Sequence, residues 1–317
     1  ESILNGPYAP PSPLPVLSQN PAPTPAAPTP GPGRSISFGP ERFSLCEMTT
    51  RRWSFEDDVL HYRAAGIRSM AAWWHKIQCF GEEKSIELVR DYPLAVSSLW
   101  YGGGTFLDPE ELRVGDPMAD AMEALDVAEE MQASSLIIIS GARYSFTKNH
   151  ARKLLRDALR CLGDQADLRN LSIGLAPLFR VQPAAPAMVT TLKSTIDLLD
   201  ECAHPAVGLA LDLGTHWNDA DLLRQLPTIA PFLKSVTLSD GPLKRRPREP
   251  MAVPGEGQLP VTSLVGHLCA AGYKGTFDCR VVVPNLSPVQ YRPLLARCKA
   301  AYSRLSERLA AGIGDPV

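Results

Sequence analysis

Apolar runs of five to seven residues recur along the chain and alternate with segments of mixed polarity. The runs are rich in Ile, Leu and Val without strict alternation, which is typical of parallel strands buried on both faces. Eight runs fit this description, at residues 43–47, 67–73, 94–100, 135–140, 171–176, 207–212, 235–240 and 276–282. Eight strand–helix units between residues 36 and 317 predict an α/β fold, a closed (β/α)8 TIM barrel.

The segments between the strands carry helix start and stop signals. Ser54 stands three residues before Asp57, and the run Ser287-Pro288-Val289-Gln290 combines an N-cap residue, a proline and a glutamine suited to a capping box. Gly312 is a plausible C-cap for the last helix. These signals predict helices between the strands.

An open, doubly wound sheet is the second candidate for the fold. Its usual G-x-G-x-x-G motif after the first strand is absent, and the run Gly102-Gly103-Gly104 follows the third strand without the Lys-Ser/Thr of a phosphate loop. The closed barrel is therefore favoured.

Residues 1–35 differ in composition from the rest of the chain. They hold about a third of the 30 prolines, spaced by Ala, Thr and Ser. Proline removes backbone donors and favours extended polyproline II, so this stretch cannot build a packed core. We interpret it as an arm or linker that precedes a barrel domain at residues 36–317. Docking of the arm on the barrel or on a second subunit stays open, with apolar anchors at Ile3, Leu4, Tyr8, Leu14, Val16 and Leu17.

Composition and charge narrow the class of partner. The chain of 317 residues is 44% hydrophobic with a formal net charge of −2, so it can bury a core and has no electrostatic reason to bind nucleic acid. Its seven cysteines are widely spaced and never form a C-x-x-C pair, which favours reduced core thiols in a cytoplasmic protein. No apolar run reaches the about 20 residues of a membrane helix, and no signal peptide opens the chain, so we expect no membrane partner.

A barrel would bring the carboxyl ends of its strands to one mouth, where the active sites of this fold are built. The acid and base candidates there are Glu47, Asp212, His216, Asp240 and Glu256. The substrate-binding candidates are Arg143, Arg180, Arg280, Trp73, Trp100 and Tyr101. Any one of these residues could equally be structural, and the aromatic rings could equally fill the core. The set is more informative because acids, a histidine, arginines and aromatic residues converge on one end of the fold.

Several short motifs in the second half of the chain point to a known family. The strand at 207–212 ends in Leu-Ala-Leu-Asp, the next one ends in Leu-Ser-Asp at 238–240, and Pro-Gly-Glu-Gly follows at 254–257. The run Ala-Gly-Tyr-Lys-Gly at 271–275 precedes the last strand. With these motifs the chain resembles the sugar phosphate isomerase/epimerase family, which has a xylose-isomerase-like TIM barrel. The resemblance covers about residues 36–310 and implies proton transfer next to a carbonyl group.

The resemblance also implies a divalent metal held by a Glu, an Asp, a His and a Glu at strands five to eight. Such a metal polarises the carbonyl while a carboxylate moves the proton. Alignment with this pattern places Ala176, Asp212, Thr237 and Arg280 at the four positions. Threonine is a poor substitute for histidine, and a guanidinium has no lone pair to donate. We therefore expect no divalent metal cofactor, unless a shifted register brings in His216 or Asp278.

The same replacement suggests an ion pair between Arg280 and Asp212 where the family holds its metal. Arg143 and Arg180 would face the same cavity and favour a carboxylate or phosphate on the ligand. The basic loop at 244–248 would add to this charge, or would be a solvated surface turn.

Two functions of different class stay open after these considerations. The first is a metal-independent enzyme of isomerase or epimerase type, which acts by acid/base proton transfer on a small, polar, carbohydrate-like substrate. The second is a non-catalytic barrel that binds a ligand or a partner, because a fold does not fix a function. A metal-dependent isomerase with shifted ligands has lower weight, and an endonuclease lower still. Retention of polar residues at the strand ends favours the enzyme, and a homodimer stays open.

Overall fold

The computed structural model describes residues 38–101, 116–141, 146–177, 188–218, 222–243 and 249–315. The predicted proline-rich arm at 1–35 lies outside the described residues, as do Arg143 and Arg180 and the basic loop at 244–248.

Parallel strands close into a barrel in the order β1 to β8, and β8 pairs with β1 through Phe277 and Phe43. The predicted (β/α)8 TIM barrel is confirmed, and each predicted strand overlaps an observed one. The strands are β1 Phe43–Cys46, β2 Ser69–Trp73, β3 Ala95–Tyr101, β4 Ser135–Ile139, β5 Ser172–Ala176, β6 Val207–Asp212, β7 Leu233–Leu238 and β8 Phe277–Cys279.

Helices surround the barrel in the described part of the chain, and none of them there is long and apolar enough to cross a membrane. They are α1 Phe55–Ala64, α2 Trp74–Phe80, α3 Glu82–Asp91, α4 Pro117–Glu130, α5 Lys148–Leu168, α6 Leu192–Cys202, α7 Leu213–His216, α8 Leu222–Ile229, α9 Val261–Ala270 and α10 Tyr291–Ala310. Short 3-10 turns lie at Pro40–Arg42, Glu47–Thr50, Ala230–Phe232 and Pro288–Gln290.

The predicted caps lie at the start of α1 and at the two ends of α10. Ser54 and Asp57 form a capping box in which the Asp57 amide donates to the Ser54 hydroxyl over 3.1 Å. A second capping box joins Ser287 to Gln290 and leads into α10. After α10, Gly312 adopts a φ of +68°, a conformation that favours glycine, and its amide donates to the Leu309 carbonyl.

Two apolar layers hold the fold together. The larger layer lies between the strands and the helices and includes Leu45, Leu211 and Phe277. The smaller layer fills the inside of the barrel with Cys46, Ala71, Trp100, Ile137, Ala176 and Ala210. Alternate residues of β1 to β6 supply the two layers, which accounts for the continuous apolar runs in that part of the sequence.

A buried carboxyl group stands inside the barrel as well. Asp278 of β8 accepts hydrogen bonds from Ser97, Ser98 and Ser235 at 2.6, 2.9 and 3.1 Å. Burial raises the pKa of Asp278, and the serine hydroxyl groups oppose that rise only in part. The neighbouring serines Ser97 and Ser98 both reach this carboxyl group because the β2–β3 register shifts between Met70 and Ala71.

The seven cysteines are free thiols. Cys46, Cys202, Cys279 and Cys298 are buried. The expectation that all of the thiols lie in the core is wrong for Cys79 and Cys161, which are exposed because they lie on the outer faces of α2 and α5.

Gly208 lets strand β6 pack closely against the turn that precedes β7. A Cβ atom at this position would lie 2.1 Å from the carbonyl oxygen of Phe232, a contact that backbone atoms cannot relieve by rotating. The turn and the strand must therefore move apart if any side chain is added.

We expect Gly208→Ala to lower the free energy of unfolding by about 1–3 kcal/mol, as overpacking in a closed interior does. Chemical denaturation measures the change. Gly314→Ala is the control, because a Cβ atom there meets no atom within 4 Å. Equal stability of the two variants would contradict the described packing of β6.

Candidate functional site

The carboxylate of Asp212 accepts four hydrogen bonds at the barrel mouth. Asp212 ends β6, where its Oδ1 atom accepts from the Ser239 hydroxyl at 3.0 Å and from the Gly214 amide at 3.2 Å. Its Oδ2 atom accepts from the hydroxyl of Thr215 and from the guanidinium of Arg280. Four donors from three chain segments therefore fix this side chain.

Arg280 follows β8 directly, and its amide donates to the Leu238 carbonyl of β7 at 2.9 Å. Its guanidinium forms an ion pair with Asp212, and the two side chains are only 12% and 11% exposed. The predicted ion pair is thus present, with β7 lying between the two strands that carry it. The guanidinium carbon also lies 6.0 Å from the centre of the Trp100 ring, within range of a cation–π interaction.

The electrostatic surroundings keep Asp212 ionised. Burial disfavours its charge, but the Arg280 guanidinium, the Thr215 hydroxyl, the neighbouring His216 and the Ser239 hydroxyl together outweigh that effect and lower the pKa of Asp212. A carboxylate with a lowered pKa and four donors is a weak base, because each donor stabilises the form without the proton. Asp212 is therefore better suited to holding Arg280 than to removing a proton from carbon.

His216 lies beside this pair at the end of α7 and is 1% exposed. Its Nε2 atom is 3.4 Å from the carbonyl oxygen of Pro177, the residue after β5. The short helix α7 begins at Asp212, which caps it, so the aspartate positions the histidine through the backbone.

Glu47 begins the 3-10 turn after β1 and is fully buried. Its Oε2 atom accepts from the Trp73 amide at 2.6 Å, which joins the end of β1 to the end of β2. Burial, followed by the negative charge of Asp58, raises the pKa of Glu47 well above its ordinary value, and Lys76 opposes that rise. The surroundings of Glu47 therefore favour its protonated form.

Asp240 and Glu256 do not join the cluster around Asp212. The Asp240 carboxylate accepts from the amides of Gly241, Gly255, Gly257 and Leu259 at 2.7 to 3.0 Å and so holds the Pro254–Gly257 turn in place. Glu256 instead pairs with Arg297 and Arg304 of α10. Both acids support the loop that follows β7.

The aromatic candidates divide between the two sides of the barrel wall. Trp100 belongs to the inner layer, and the half-buried Trp73 packs against that layer. Tyr101 points the other way into the outer layer, where its hydroxyl donates to Asp120 of α4 at 2.7 Å. Of the three rings, the two tryptophans are thus brought to the site and Tyr101 is not.

Residues 62–300 match the model of a family described as the xylose isomerase-like TIM barrel. The chain belongs to this family. A search of curated protein sequences found no match.

Solved structures with the fold of this xylose isomerase-like TIM barrel differ widely in sequence. A protein from Sinorhizobium meliloti gives a TM-score of 0.74 at 21% identity, over 84% of this chain and 99% of that one. The 3-keto-D-glucoside 4-epimerase from E. coli gives 0.66 at 18% identity, over 83% and 98%. A xylose isomerase-like TIM barrel protein from Mycobacterium smegmatis, in complex with magnesium, gives 0.65 at 14%, over 86% and 97%. Identities this low show the fold alone.

The residues at the expected metal position of this xylose isomerase-like barrel do not fit a divalent cation. Ala176 offers no side-chain donor atom, both oxygens of Asp212 are occupied, and Arg280 brings a positive charge. Within the described ranges, no group of three or more His, Cys, Asp or Glu side chains is arranged to hold a metal ion. The described part of the mouth is thus built around a guanidinium.

Two buried partners of Glu47 were missed by reasoning from the sequence. Asp58 of α1 and Lys76 of α2 are both nearly inaccessible to solvent and form an ion pair with each other. An acid in the first turn of a helix is expected on electrostatic grounds alone, so Asp58 carried no signal of burial. Asp58 and Lys76 lie on different helices, so the sequence contains no indication that they are in contact.

Replacement of Asp240 by alanine should destabilise the protein by at least about 2 kcal/mol, because four backbone amides lose their acceptor. Thermal unfolding measures the loss. The matched control in the same loop is Glu256→Ala, which removes only ion pairs with half-exposed arginines and should cost less than about 1 kcal/mol. A smaller effect at Asp240 than at Glu256 would contradict the structural role of Asp240.

Replacement of Arg280 by methionine should lower the free energy of unfolding by about 3 kcal/mol at neutral pH, since Asp212 is left buried without its counter-ion. In the wild type the pKa of Asp212 is lowered, so its stabilising contribution is present above the ordinary value of 3.8 and is lost as the pH falls. In the variant burial dominates and the pKa rises. The stability difference between the two proteins should therefore grow from acid to neutral pH.

Denaturation curves at several pH values test this expectation. The double variant Asp212→Asn with Arg280→Met removes both charges and should recover part of the lost stability. A stability difference that does not change with pH would show that Arg280 acts by packing alone.

Proposed function

We propose that this protein is a metal-independent enzyme of isomerase or epimerase type, which moves a proton next to the carbonyl group of a small, polar, carbohydrate-like substrate. The observation that carries the proposal is the Asp212–Arg280 ion pair at the place where the family resemblance implies a metal. A guanidinium fixed in position supplies positive charge and directional donors to an oxygen that becomes negative during the reaction.

Unused donors at the mouth support a ligand rich in acceptor oxygens. Among the described residues, the Nε atom of Arg280 and the Nε1 atom of Trp100 are buried without a hydrogen-bond partner. A buried donor without a partner costs about 1–3 kcal/mol, so an acceptor that reaches it is bound favourably. A carboxylate, a phosphate or a sugar hydroxyl meets this requirement. The faces of Trp73 and Trp100 add an apolar surface for a sugar ring.

The proposed step conserves charge and protons without a metal. A base removes a proton from the carbon next to the carbonyl, and Arg280 stabilises the oxygen of the resulting enolate. Return of the proton to the former carbonyl carbon completes an isomerisation, provided that the hydroxyl group on the deprotonated carbon passes its proton to the former carbonyl oxygen. Return of the proton to the opposite face of the same carbon completes an epimerisation. We assign the role of the base to His216 and that of the acid to Glu47, and we assign Asp212 to the positioning of Arg280.

One observation favours the second candidate function, a non-catalytic barrel that binds a ligand. Both oxygens of Asp212 are occupied by donors, which leaves the aspartate poorly suited to accept a proton. Arg280 and Trp100 would still bind an anion in such a protein. Binding and proton transfer must therefore be measured separately.

Exchange of substrate hydrogen with solvent deuterium distinguishes the two functions. The protein, treated with a chelator, is incubated in D2O with a panel of keto sugars and keto sugar acids, and incorporation of deuterium next to the carbonyl is followed by NMR. Exchange without added metal is expected, with a loss of at least about 100-fold in Arg280→Met, the size of effect that follows removal of an oxyanion donor.

Glu256→Gln is the control, because Glu256 pairs with arginines of α10 and lies outside the cluster around Asp212. Binding of a keto acid without exchange would support the ligand-binding barrel. Exchange that requires added Mn²⁺ or Mg²⁺ would overturn the metal-independent proposal.

A further inference from the structure

Two acids and one lysine are enclosed together between the end of β1 and helices α1 and α2. Glu47 and Asp58 are 0% exposed and Lys76 is 5% exposed. Such groups are almost never buried unless they are paired, because the loss of hydration is large. The balance of charge among the three therefore decides their protonation.

Lys76 interacts mainly with Asp58. Its ammonium group donates to Oδ2 of Asp58 and, over 3.1 Å, to the carbonyl oxygen of Thr50, while Oε1 of Glu47 lies farther away at 3.9 Å. The other oxygen of Asp58 accepts from the Thr50 hydroxyl at 2.6 Å. Asp58 and Lys76 thus neutralise each other.

One carboxyl oxygen of Glu47 has no hydrogen-bond donor among the described residues. Its Oε2 atom accepts from the Trp73 amide, but its Oε1 atom is buried and receives no hydrogen bond from the described residues. The side chain close to Glu47 is the carboxylate of Asp58, which can accept hydrogen bonds but cannot donate one as long as it is ionised. A proton placed between the two carboxyl groups gives Glu47 a donor, satisfies the orphaned oxygen and leaves the enclosed charge at zero.

We propose that Glu47 and Asp58 share one proton in the folded protein and, with Lys76 as counter-ion, form a proton store at the carboxyl end of β1. Asp58 and Lys76 are then positioning residues that keep Glu47 in its acid form at neutral pH. The use of this proton in catalysis rests on the proposed function, whereas its presence is a property of the folded chain.

The groups around the store favour the neutral form of Glu47. Asp58 and Tyr62 face it from α1 and Lys76 from α2, while Cys46 precedes it in β1. Burial raises the pKa of Asp58, of Tyr62 and of Cys46 as well, so neither the phenol nor the thiol supplies a competing charge at neutral pH. Two carboxyl groups in one enclosed place cannot both ionise against a single lysine.

Infrared spectroscopy tests the store without a substrate, because a protonated carboxyl group absorbs apart from a carboxylate. At neutral pH the wild type should show a protonated carboxyl band that is absent in Glu47→Gln, which keeps the shape and the hydrogen bonds of the neutral acid. Asp278 also has a raised pKa and can contribute a band of its own, so the variants are compared by difference.

Two further variants separate proton sharing from simple burial. Asp58→Asn leaves Glu47 as the only acid beside Lys76, so Glu47 should ionise and its band should disappear. Lys76→Met removes the counter-ion, so both acids should be protonated and the band should roughly double. Glu201→Gln is the control, since Glu201 is half exposed and paired with Arg152, and it should leave the band unchanged.

Circular dichroism establishes that each variant is folded before its spectrum is compared. A protonated carboxyl band that is unchanged in Glu47→Gln would overturn the proposal. A Glu47 band that survives in Asp58→Asn would overturn it as well. If the bands behave as expected while deuterium exchange is absent, the proton store stands and the proposed function fails.

Discussion

A charged side chain inside a closed barrel needs partners that replace its lost water, and this constraint fixes the interior of the protein. Asp278 meets it with serine hydroxyls from β3 and β7, and Asp212 meets it with Arg280 and with hydroxyls from two other segments. Because each acid draws its donors from several strands, the polar interior forms only when the barrel closes. Fold and site therefore depend on each other.

The sequence predicts those features that arise from local pattern. Continuous apolar runs located all of the strands, and the capping box at Ser54 located the start of α1, because burial on two faces and helix caps act over short stretches of chain. The Asp212–Arg280 pair was accessible in the same way, since both residues stand at strand ends of one barrel.

Features that depend on the direction of a side chain could not be predicted in this way. Asp240 stands at a strand end as Asp212 does, yet it turns to four backbone amides of its own loop. The contact of Asp58 with Lys76 joins two helices whose mutual position follows only from packing. Position along a strand thus indicates which end of the barrel a residue occupies, and the tertiary contacts decide what it meets there.

Membership of the xylose isomerase-like TIM barrel family gives this chain a scaffold whose mouth tolerates different chemistry. Here Arg280 supplies a permanent charge that belongs to the chain itself. A guanidinium cannot be removed by a chelator or exchanged for another ion, so the charge of Arg280 itself does not depend on a bound ion. The effect of this charge on a neighbouring group is instead set by the distance of that group from the guanidinium and by the hydration of the Arg280 side chain.

The irregular register between β2 and β3 has a consequence for the ring that faces the mouth. The shift at Met70 and Ala71 adds one residue to β3, and from Ser98 onward the two sides of the strand are exchanged. Trp100 consequently faces inward and Tyr101 outward. Regular pairing of the same residues, without the shift, would turn the phenol of Tyr101 inward in place of the indole of Trp100, so the ring that lines the mouth depends on the register of the strand as well as on residue type.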